Sequence, residues 1–267
     1  MSKEQYPTDL APEQFQLIEP DLRTQSKRGR PREWDLRVVM NAILYVLRSG
    51  CAWRLLPHDF PPWQTVYASF RKWKRDGTWE KIHNMLHGRV RSEEDREPNP
   101  TAAIIDSQSV KTTDVPGPRG YDAGKKIKGR KRHIVVDTLG LLIAIVVHPA
   151  NIQDRDGAKI VLKRAYQRFF GLQIVWADGG YSGQLIDWVK ITFGIILEIV
   201  KRPSNTKGFT VIQKRWIVER TFGWLNRYRR LSKDYEVLPS TSEAMAQIAM
   251  INLMVNRLVP GSAPRGR

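Results

Sequence analysis

Cysteine, long apolar runs and acidic side chains are all scarce in this sequence of 267 residues. The one cysteine, Cys51, excludes an intrachain disulfide framework and a cysteine-rich zinc site, and it fits a reducing compartment. The longest apolar run, which begins at Leu141, is too short to span a bilayer. The first fifteen residues contain no apolar segment typical of a signal peptide, so we expect a protein of the cytoplasm without a membrane partner.

The shortage of acids leaves a large positive charge. Lys and Arg number 44 against 27 Asp and Glu, for a formal net charge of +17. Residues 1–100 contain 17 basic and 14 acidic side chains, whereas residues 101–267 contain 27 and 13. A surplus of this size indicates a polyanionic partner, with nucleic acid first and an anionic membrane second. The apolar fraction of 41% is enough for a core and argues against general disorder.

A polar, proline-containing segment at 91–100 predicts a boundary between a helical part and a mixed part. In the helical part, apolar residues repeat every three to four positions after Asp35, which is a suitable N-cap. This spacing predicts a helix that ends near Ser49 and is stopped by Gly50. A second amphipathic helix is predicted over 64–75.

The mixed part begins with a short apolar strand that ends at Asp106. Two apolar runs around the turn at 138–140 predict a hairpin, and another strand ends at Asp178. Helical patterns are expected over 156–170, from about Ser182, and over 211–230 and 242–258, and a further strand, IILEIVKR, follows the second of these. The order of strand, hairpin, helix, strand, helix, strand and two helices predicts the α/β class, with helices packed on a mixed sheet.

Asp106 and Asp178 share a context, because each follows an apolar strand and precedes small or polar residues. A carboxylate at the end of a buried strand is costly unless it is paired or bound to a cation. Glu219 lies in a long basic helix, at the border of an apolar stripe. Three carboxylates from two strands and one helix can converge on a divalent metal, and Mg²⁺ favours such hard oxygen ligands. Two ions at one site can activate water or a 3′-hydroxyl for displacement at phosphorus.

A simpler interpretation stays open at this point. The two aspartates can cap turns, and Glu219 can pair with Arg215 one helical turn earlier. For any one acid alone the simpler interpretation is favoured, whereas the three together within basic flanks favour a site. Asp137, Asp154 and Asp156 stand where a turn or a helix N-terminus is expected, so they rank below the three.

Three motifs carry a resemblance to a known family. They are IIDSQSVKT around Asp106, ADGGYSG around Asp178 and RWIVERTFGWLNRYRRL around Glu219. Together they resemble the acid-containing blocks of the DDE transposases of bacterial insertion sequences (the insertion-sequence four/five type), in the RNase H-like superfamily. Residues 28–57 are similar to the segment that precedes the catalytic core in these proteins. The resemblance covers nearly the whole chain.

The resemblance implies an α/β fold with an RNase H-like mixed sheet flanked by helices, preceded by a small all-α, helix-turn-helix-like domain. On this basis we expect a helical DNA-binding domain over 1–97, a catalytic domain over 98–258 and a disordered tail over 259–267.

The resemblance also implies an activity: metal-dependent cleavage of the transposon ends, followed by strand transfer into target DNA. It implies that Asp106, Asp178 and Glu219 are the catalytic metal ligands, with Mg²⁺ or Mn²⁺ as cofactor and two ions at the site. The implied partners are double-stranded DNA of the transposon ends and target, and a second copy of the chain in a homodimer that holds two ends. The implied location is the nucleoid of a bacterial cell.

One branch of the family places an Arg four residues before the Glu, a Tyr seven before and a Lys seven after. Arg215 matches this pattern, whereas Ile212 and Asn226 stand at the positions of the Tyr and the Lys. The departure concerns how the flanking transposon strand is held rather than the metal ligands.

Basic segments flank the proposed acids. Residues 119–133 contain seven Lys/Arg and one acid, and residues 201–233 contain ten and one. Such runs also occur on ordinary solvated faces. The helix over 64–75 is a candidate recognition helix, and residues 27–31 resemble an arginine hook for the minor groove. The candidate DNA contacts are Arg28, Arg30, Arg71, Lys72, Lys74, Lys126, Lys128, Arg130, Lys131, Arg132, Arg215, Arg220 and Arg227.

Two other functions fit the same charge. A non-catalytic DNA-binding or regulatory relative of a transposase shares the basic surface but needs no cluster of carboxylates. A different RNase H-like nuclease would act on branched DNA, such as a four-way junction.

Overall fold

The computed structural model of the protein describes residues 6–23, 33–200 and 214–260. These residues form two compact units. The first comprises the described residues within Met1–Arg96, Tyr228–Leu231 and Ala244–Arg267, and the second comprises Glu97–Arg227 and Ser232–Glu243. The first division falls at residue 96, and residues 244–258 of the carboxyl-terminal helix belong to the first unit. Within that unit, Tyr228 donates its hydroxyl hydrogen to the Ala249 carbonyl.

Helices make up the described part of the first unit, as expected for a small all-α region. Their bounds are α1 Pro12–Gln16, α2 Glu19–Leu22, α3 Leu36–Ser49, α4 Trp63–Arg75, α5 Thr78–Glu93, α9 Arg229–Ser232 and α10 Pro239–Leu258. The last two are shared with the second unit at their ends.

Helix α3 confirms the sequence prediction at both ends. The Asp35 side chain accepts a hydrogen bond from the Arg37 backbone at 2.6 Å, which satisfies one of the unpaired N–H groups of the first turn. Gly50 ends the helix in the left-handed conformation, with φ of 75°. A residue with a side chain is strained there, which explains why a glycine follows this helix.

Helix α4 begins one residue before the predicted segment and buries Val66, Phe70 and Trp73. The connection from α3 to α4 runs from Gly50 to Pro62 and contains a 3₁₀ turn. It is longer than the three- to four-residue turn of a helix-turn-helix. The region is therefore helical as expected, but α3 and α4 do not form that motif in its usual spacing.

The second unit is built on a six-stranded mixed sheet. Its strands are β1 Ala102–Lys111, β2 Gly120–Asp122, β3 Ile127–Asp137, β4 Leu142–Pro149, β5 Ile174–Ala177 and β6 Ile196–Ile199. The order is β2-β3-β1-β5-β6, and β4 pairs with β3 beyond β2 along the same edge. Strands β1 to β4 pair antiparallel, whereas β5 and β6 are parallel to β1. This topology is the mixed, RNase H-like sheet that was expected.

Strand β1 is longer than predicted, and this changes the setting of Asp106. The prediction ended the strand at Asp106, whereas pairing with β3 continues from Asp106↔Ile134 to Lys111↔Gly129. Asp106 therefore lies in mid-strand. The apolar pattern stops there because the strand continues with Ser107 and Ser109, whose hydroxyls are buried and hydrogen bonded.

Helices cover both faces of the sheet. They are α6 Asp154–Arg168, α7 Gln184–Phe193 and α8 Arg215–Asn226. Helices α6 and α7 pack on one face in a core with Ala103, Ile105 and Val175. Because side chains alternate along a strand, Asp106 belongs to the opposite face, which α8 contacts. Within the described residues α8 is shorter than the predicted 211–230, since the chain turns after Asn226 into the separate α9.

In the described parts of the chain, no helix is both long enough and apolar enough to cross a membrane.

Gly157 and Gly223 are helical glycines with opposite surroundings, and they give a matched test of the fold. A Cβ at Gly157 would lie 2.5 Å from His133 Nε2 and 2.6 Å from His148 Nε2, whereas a Cβ at Gly223 meets nothing within 4 Å. We expect Gly157→Ala to destabilise the protein by roughly 1–3 kcal/mol through overpacking. We expect Gly223→Ala to stabilise it by roughly 0.5–1 kcal/mol through helix propensity. Urea unfolding measures both, and equal effects would contradict the packing of α6 on β3 and β4.

Candidate functional site

Asp106 is a largely buried carboxylate in the middle of β1. Its Oδ1 accepts a hydrogen bond of 2.7 Å from the Ser107 backbone. Burial raises the pKa of Asp106 to about 6, and the negative charge of Asp178 adds to this, against the Ser107 N–H and the positive charges of Arg215 and Lys125. The shift is therefore mainly a cost of removing the charged carboxylate from water, which a bound cation would offset.

Asp178 follows β5 directly, as predicted. Strand β5 is parallel to β1 with Ile104 opposite Trp176, so Asp106 and Asp178 each lie two residues beyond this pair. Oδ1 of Asp178 accepts a hydrogen bond of 2.8 Å from Gly180 and begins a short 3₁₀ turn. Oδ2 of Asp178 lies 3.5 Å from Nη2 of Arg215.

Glu219 reaches the same guanidinium from α8. Its Oε1 lies 3.6 Å from Nη2 of Arg215, and its side chain is 55% exposed. Helix α8 is fixed to the β3–β4 turn, because Thr221 donates to the Gly140 carbonyl at 2.8 Å and Arg220 to the Leu139 carbonyl at 3.0 Å. The turn thereby sets the position of Glu219 relative to the sheet.

Arg215 lies between Asp178 and Glu219, at 3.5 and 3.6 Å from their oxygens, and its positive charge also acts against the raised pKa of Asp106. The simpler contacts are present too, because Asp178 caps a turn and Glu219 pairs with Arg215 in the same helix. The two interpretations of the sequence are therefore compatible. Both aspartates offer oxygen ligands, and the shifted pKa of Asp106 marks a place where a further cation is favourable.

The donor chemistry fits a hard divalent cation, but the arrangement is centred on Arg215. Across residues 6–23, 33–200 and 214–260, no group of three or more His, Cys, Asp or Glu side chains is arranged to hold a metal ion. Because Nη2 of Arg215 contacts oxygens of both Asp178 and Glu219, it occupies the region between them.

Three of the candidate DNA contacts lie inside the protein. Arg130, Lys131 and Arg132 on β3 are only 1%, 5% and 1% exposed. Arg130 Nη1 lies 3.2 Å from Asp234 Oδ1, and its guanidinium also donates to the carbonyls of Pro118, Glu236 and Val237.

Lys131 and Arg132 are also bound within the protein. Lys131 Nζ lies 3.0 Å from Asp154 Oδ1 and donates to the Ile152 carbonyl at 2.9 Å. Arg132 donates to the Lys233 carbonyl, and burial lowers its pKa to about 10. The prediction that Arg130, Lys131 and Arg132 contact DNA is therefore wrong for this structure, because a dense charge run was taken for a surface.

The other candidate cations are accessible to different degrees. Arg71, Lys72, Lys126, Lys128 and Arg227 are exposed, and Lys74, Arg215 and Arg220 are half-buried. Arg28, Arg30 and Ile212 lie outside the described residues. Asn226, at the other departure from the family pattern, is the exposed last residue of α8.

Arg220 stands apart from these cations, because its guanidinium lies between two indole rings. It is 4.4 Å from the ring centroid of Trp216 and 4.6 Å from that of Trp224. The sequence showed interleaved aromatic and basic residues here but not this stacking.

Asp154 makes contacts that the sequence did not predict. It lies in the first turn of α6, as expected for a helix N-terminus, but the N-cap itself is Gln153. The Asp154 carboxylate instead accepts a hydrogen bond from Ser107, the neighbour of Asp106, and pairs with buried Lys131. A basic run inside an apolar strand was the signal that could have found it, since buried cations require acidic partners.

Comparisons with known proteins agree with the motifs. A family model described as "Transposase DDE domain" matches residues 97–254, and one described as "Putative transposase of IS4/5 family" matches residues 10–83. The chain is 32% identical over 128 residues to the "Putative transposase for insertion sequence element IS402" of Burkholderia cepacia, which covers 45% of this chain and 59% of that protein. This chain therefore spans less than two thirds of that relative's length.

Two further similarities complete the comparison. An uncharacterized 16.2 kDa protein of insertion element IS402, also from Burkholderia cepacia, is 29% identical over 121 residues, 43% of this chain and 76% of that protein. A solved strand transfer complex of Mos1 aligns over 91% of this chain and 83% of its own at 10% identity, with a TM-score of 0.26. The assignment does not rest on this last similarity.

The first family model covers more than half of the sequence and includes Asp106, Asp178 and Glu219. The second covers most of the helical part. The chain therefore belongs to the DDE transposases of insertion sequences.

Proposed function

We propose that this protein cuts the DNA at the ends of its insertion element and joins the freed ends to target DNA, with Asp106, Asp178 and Glu219 as metal ligands. Membership of the family implies transposition, and with it nuclease and strand-transferase chemistry in general. One observation carries the finer proposal: oxygens of Asp178, after β5, and Glu219, on α8, lie 3.5 and 3.6 Å from one guanidinium, and the charges of Asp178 and of this guanidinium both act on Asp106 of β1.

DDE transposases use divalent metals, and we propose Mg²⁺ or Mn²⁺, as two ions, for this chain. When bound, the ions supply Lewis acidity at the scissile phosphate and lower the pKa of a water or 3′-hydroxyl nucleophile. Asp106 and Asp178 supply hard oxygen ligands from the sheet, and Glu219 adds one from α8. Arg215 holds Asp178 and Glu219 together, and it has to release their oxygens for them to act as ligands.

The proposed substrate is double-stranded DNA, both transposon end and target. The net charge of +17 favours binding to a polyanion. The accessible cations on α4 and near β2, represented by Arg71 and Lys128, are proposed to contact phosphates. A homodimer that brings two ends together, acting at the nucleoid of a bacterial cell, completes the proposal.

A second candidate function is a DNA-binding, regulatory relative without catalysis. The position of Arg215 favours it, because an internal cation already neutralises the acids. Such a protein would bind an end equally well with and without Mg²⁺ and would leave it intact.

We expect Asp106→Ala, Asp178→Ala and Glu219→Ala each to abolish cleavage and strand transfer, because each removes an oxygen ligand from the site. The measurement is nicking of a labelled duplex that contains the transposon end, with Mg²⁺ or Mn²⁺ as the metal. Asp187→Ala, which removes an exposed carboxylate of α7 in the same unit, is the control and should retain activity. Cleavage by all three site variants at the wild-type rate would refute the assignment.

The raised pKa of Asp106 predicts a pH dependence of stability in the metal-free protein. The unfolded state ionises this carboxyl from about pH 4, whereas the folded state does so only near 6. Below pH 4 the group is neutral in both states. As pH rises to 6, the folded state loses about 2–3 kcal/mol relative to the unfolded state. Urea unfolding of Asp106→Asn and wild type at pH 4 and pH 7 measures it. Asp106→Asn should be the more stable protein at pH 7. If the difference in unfolding free energy between variant and wild type is the same at pH 4 and pH 7, the burial of the charge is contradicted.

Phosphate contact predicts a change in the salt dependence of DNA binding. Arg71→Ala and Lys128→Ala should each reduce the slope of log K against log[salt] by about 0.9. Lys163→Ala, which removes an exposed lysine of α6, is the control with an unchanged slope. Fluorescence anisotropy at several salt concentrations gives the slopes. Identical slopes for all four proteins would place the DNA on another surface.

A further inference from the structure

Ser107 is held at three of its atoms, and one of these contacts joins it to its neighbour Asp106. Its backbone N–H donates to Asp106 Oδ1 at 2.7 Å, and its carbonyl accepts from Lys125 Nζ at 3.1 Å. Its hydroxyl donates to Asp154 Oδ1 at 2.9 Å. The side chains of Ser107 and Asp106 point to opposite faces of β1. Contacts on the α6 face of the sheet therefore hold β1 in place at Ser107. The Asp106 side chain projects from the same part of the strand on the α8 face.

Asp154 is the centre of the polar cluster on that α6 face. Besides Ser107, its carboxylate pairs with Lys131 at 3.0 Å. Lys131 is tied in turn to the Ile152 carbonyl at 2.9 Å and to Asp122 at 3.6 Å. Burial opposes ionisation of Asp154, but the hydrogen bonds from Lys131 and Ser107 outweigh it and lower its pKa. These contacts therefore favour the ionised form of Asp154, which accepts the hydrogen bond of the Ser107 hydroxyl.

The same carboxylate lies against the turn that follows Asp178. A Cβ on Gly180 would be 3.8 Å from Asp154 Oδ2. His133 connects the two sides, since its Nε2 lies 3.8 Å from Asp154 Oδ1 and its Nδ1 lies 3.5 Å from the Tyr181 hydroxyl. Burial lowers the pKa of His133 to about 3, so the ring is neutral and the link is one of packing and hydrogen bonding rather than charge.

We propose that Asp154 is a positioning residue of the transposition reaction, which fixes the orientation of the Asp106 carboxylate through the hydroxyl of Ser107. This inference rests on the proposed function, in which Asp106 binds a metal. In this role Asp154 acts through Ser107 rather than on the DNA itself. Removal of a residue that supports a metal ligand in this way typically weakens metal binding or activity by about 10- to 100-fold.

The test compares full-length wild type with Asp154→Asn, Ser107→Ala, the double variant and Asp156→Asn. Asp156 is the matched control, because it also lies in the first turn of α6. It is exposed, and its contact with Lys159 is a long surface ion pair of 3.9 Å. Ser107→Ala keeps the pairing of Asp154 with Lys131, so it carries the test if Asp154→Asn does not fold. The first measurement is the affinity for Mn²⁺ alone, by electron paramagnetic resonance without DNA. The second is kcat and KM for cleavage of an end-containing duplex.

We expect Asp154→Asn and Ser107→Ala each to weaken Mn²⁺ binding by about 10- to 100-fold and to lower kcat by a similar factor. KM for DNA and the Mn²⁺ affinity of Asp156→Asn should stay at wild-type values. The double variant should be no worse than the worse single variant, since both changes break one connection.

Three results would overturn the inference. The first is wild-type Mn²⁺ affinity and kcat in Ser107→Ala. The second is a lower melting temperature in Asp154→Asn with unchanged Mn²⁺ affinity, which would make Asp154 a structural residue only. The third is additive losses in the double variant. Failure of the proposed function is recognised separately, because wild type and Asp106→Ala would then bind Mn²⁺ alike, and the positioning role would fall with it.

Discussion

The pairing of β1 with β3 is the constraint on which the site depends. Its register runs from Ala103↔Asp137 to Lys111↔Gly129 and places Ser107 opposite His133. A shift of one residue in β1 would turn every side chain to the other face. It would bury Asp106 against α6 and direct Ser107 toward α8. The register thus sets the separation of a carboxylate face from a supporting polar face.

Burial of cations on β3 stabilises this register only because acids from elsewhere meet them. Asp154 reaches Lys131 from the start of α6, and Asp234 reaches Arg130 from beyond α9. Another register would leave these buried groups without partners. Because an unpaired buried charge costs roughly several kcal/mol, such a register is disfavoured. Segments far apart in the chain are therefore tied to β3 by charge as well as by backbone hydrogen bonds and apolar contacts.

Much of the fold could be predicted from local patterns. Asp35 and Gly50 mark both ends of α3 in the sequence, and the turn at 138–140 separates two apolar strands. Asp106 and Asp178 attract attention because each stands at an abrupt change from apolar to polar residues, and Glu219 because it borders an apolar stripe; their role as a site stays a prediction. What failed depends on contacts between distant residues.

The continuation of β1 beyond Asp106 is one such failure, since buried serines look polar until their acceptors are known. The basic run on β3 is another, because a sequence shows charge but not its partners. The role of Arg215 between the acids was visible only as an i,i+4 spacing to Glu219.

The chain passes from the first unit to the second and back more than once, since residues 228–231 and those from Ala244 onward return to the first. Neither unit is therefore formed by one continuous segment of the chain. A fragment that stops at residue 97 lacks α10, which supplies Asn256 as hydrogen-bond acceptor to Gln14 of α1. Exchange of the amino-terminal part between relatives would therefore have to include its distant carboxyl-terminal helix.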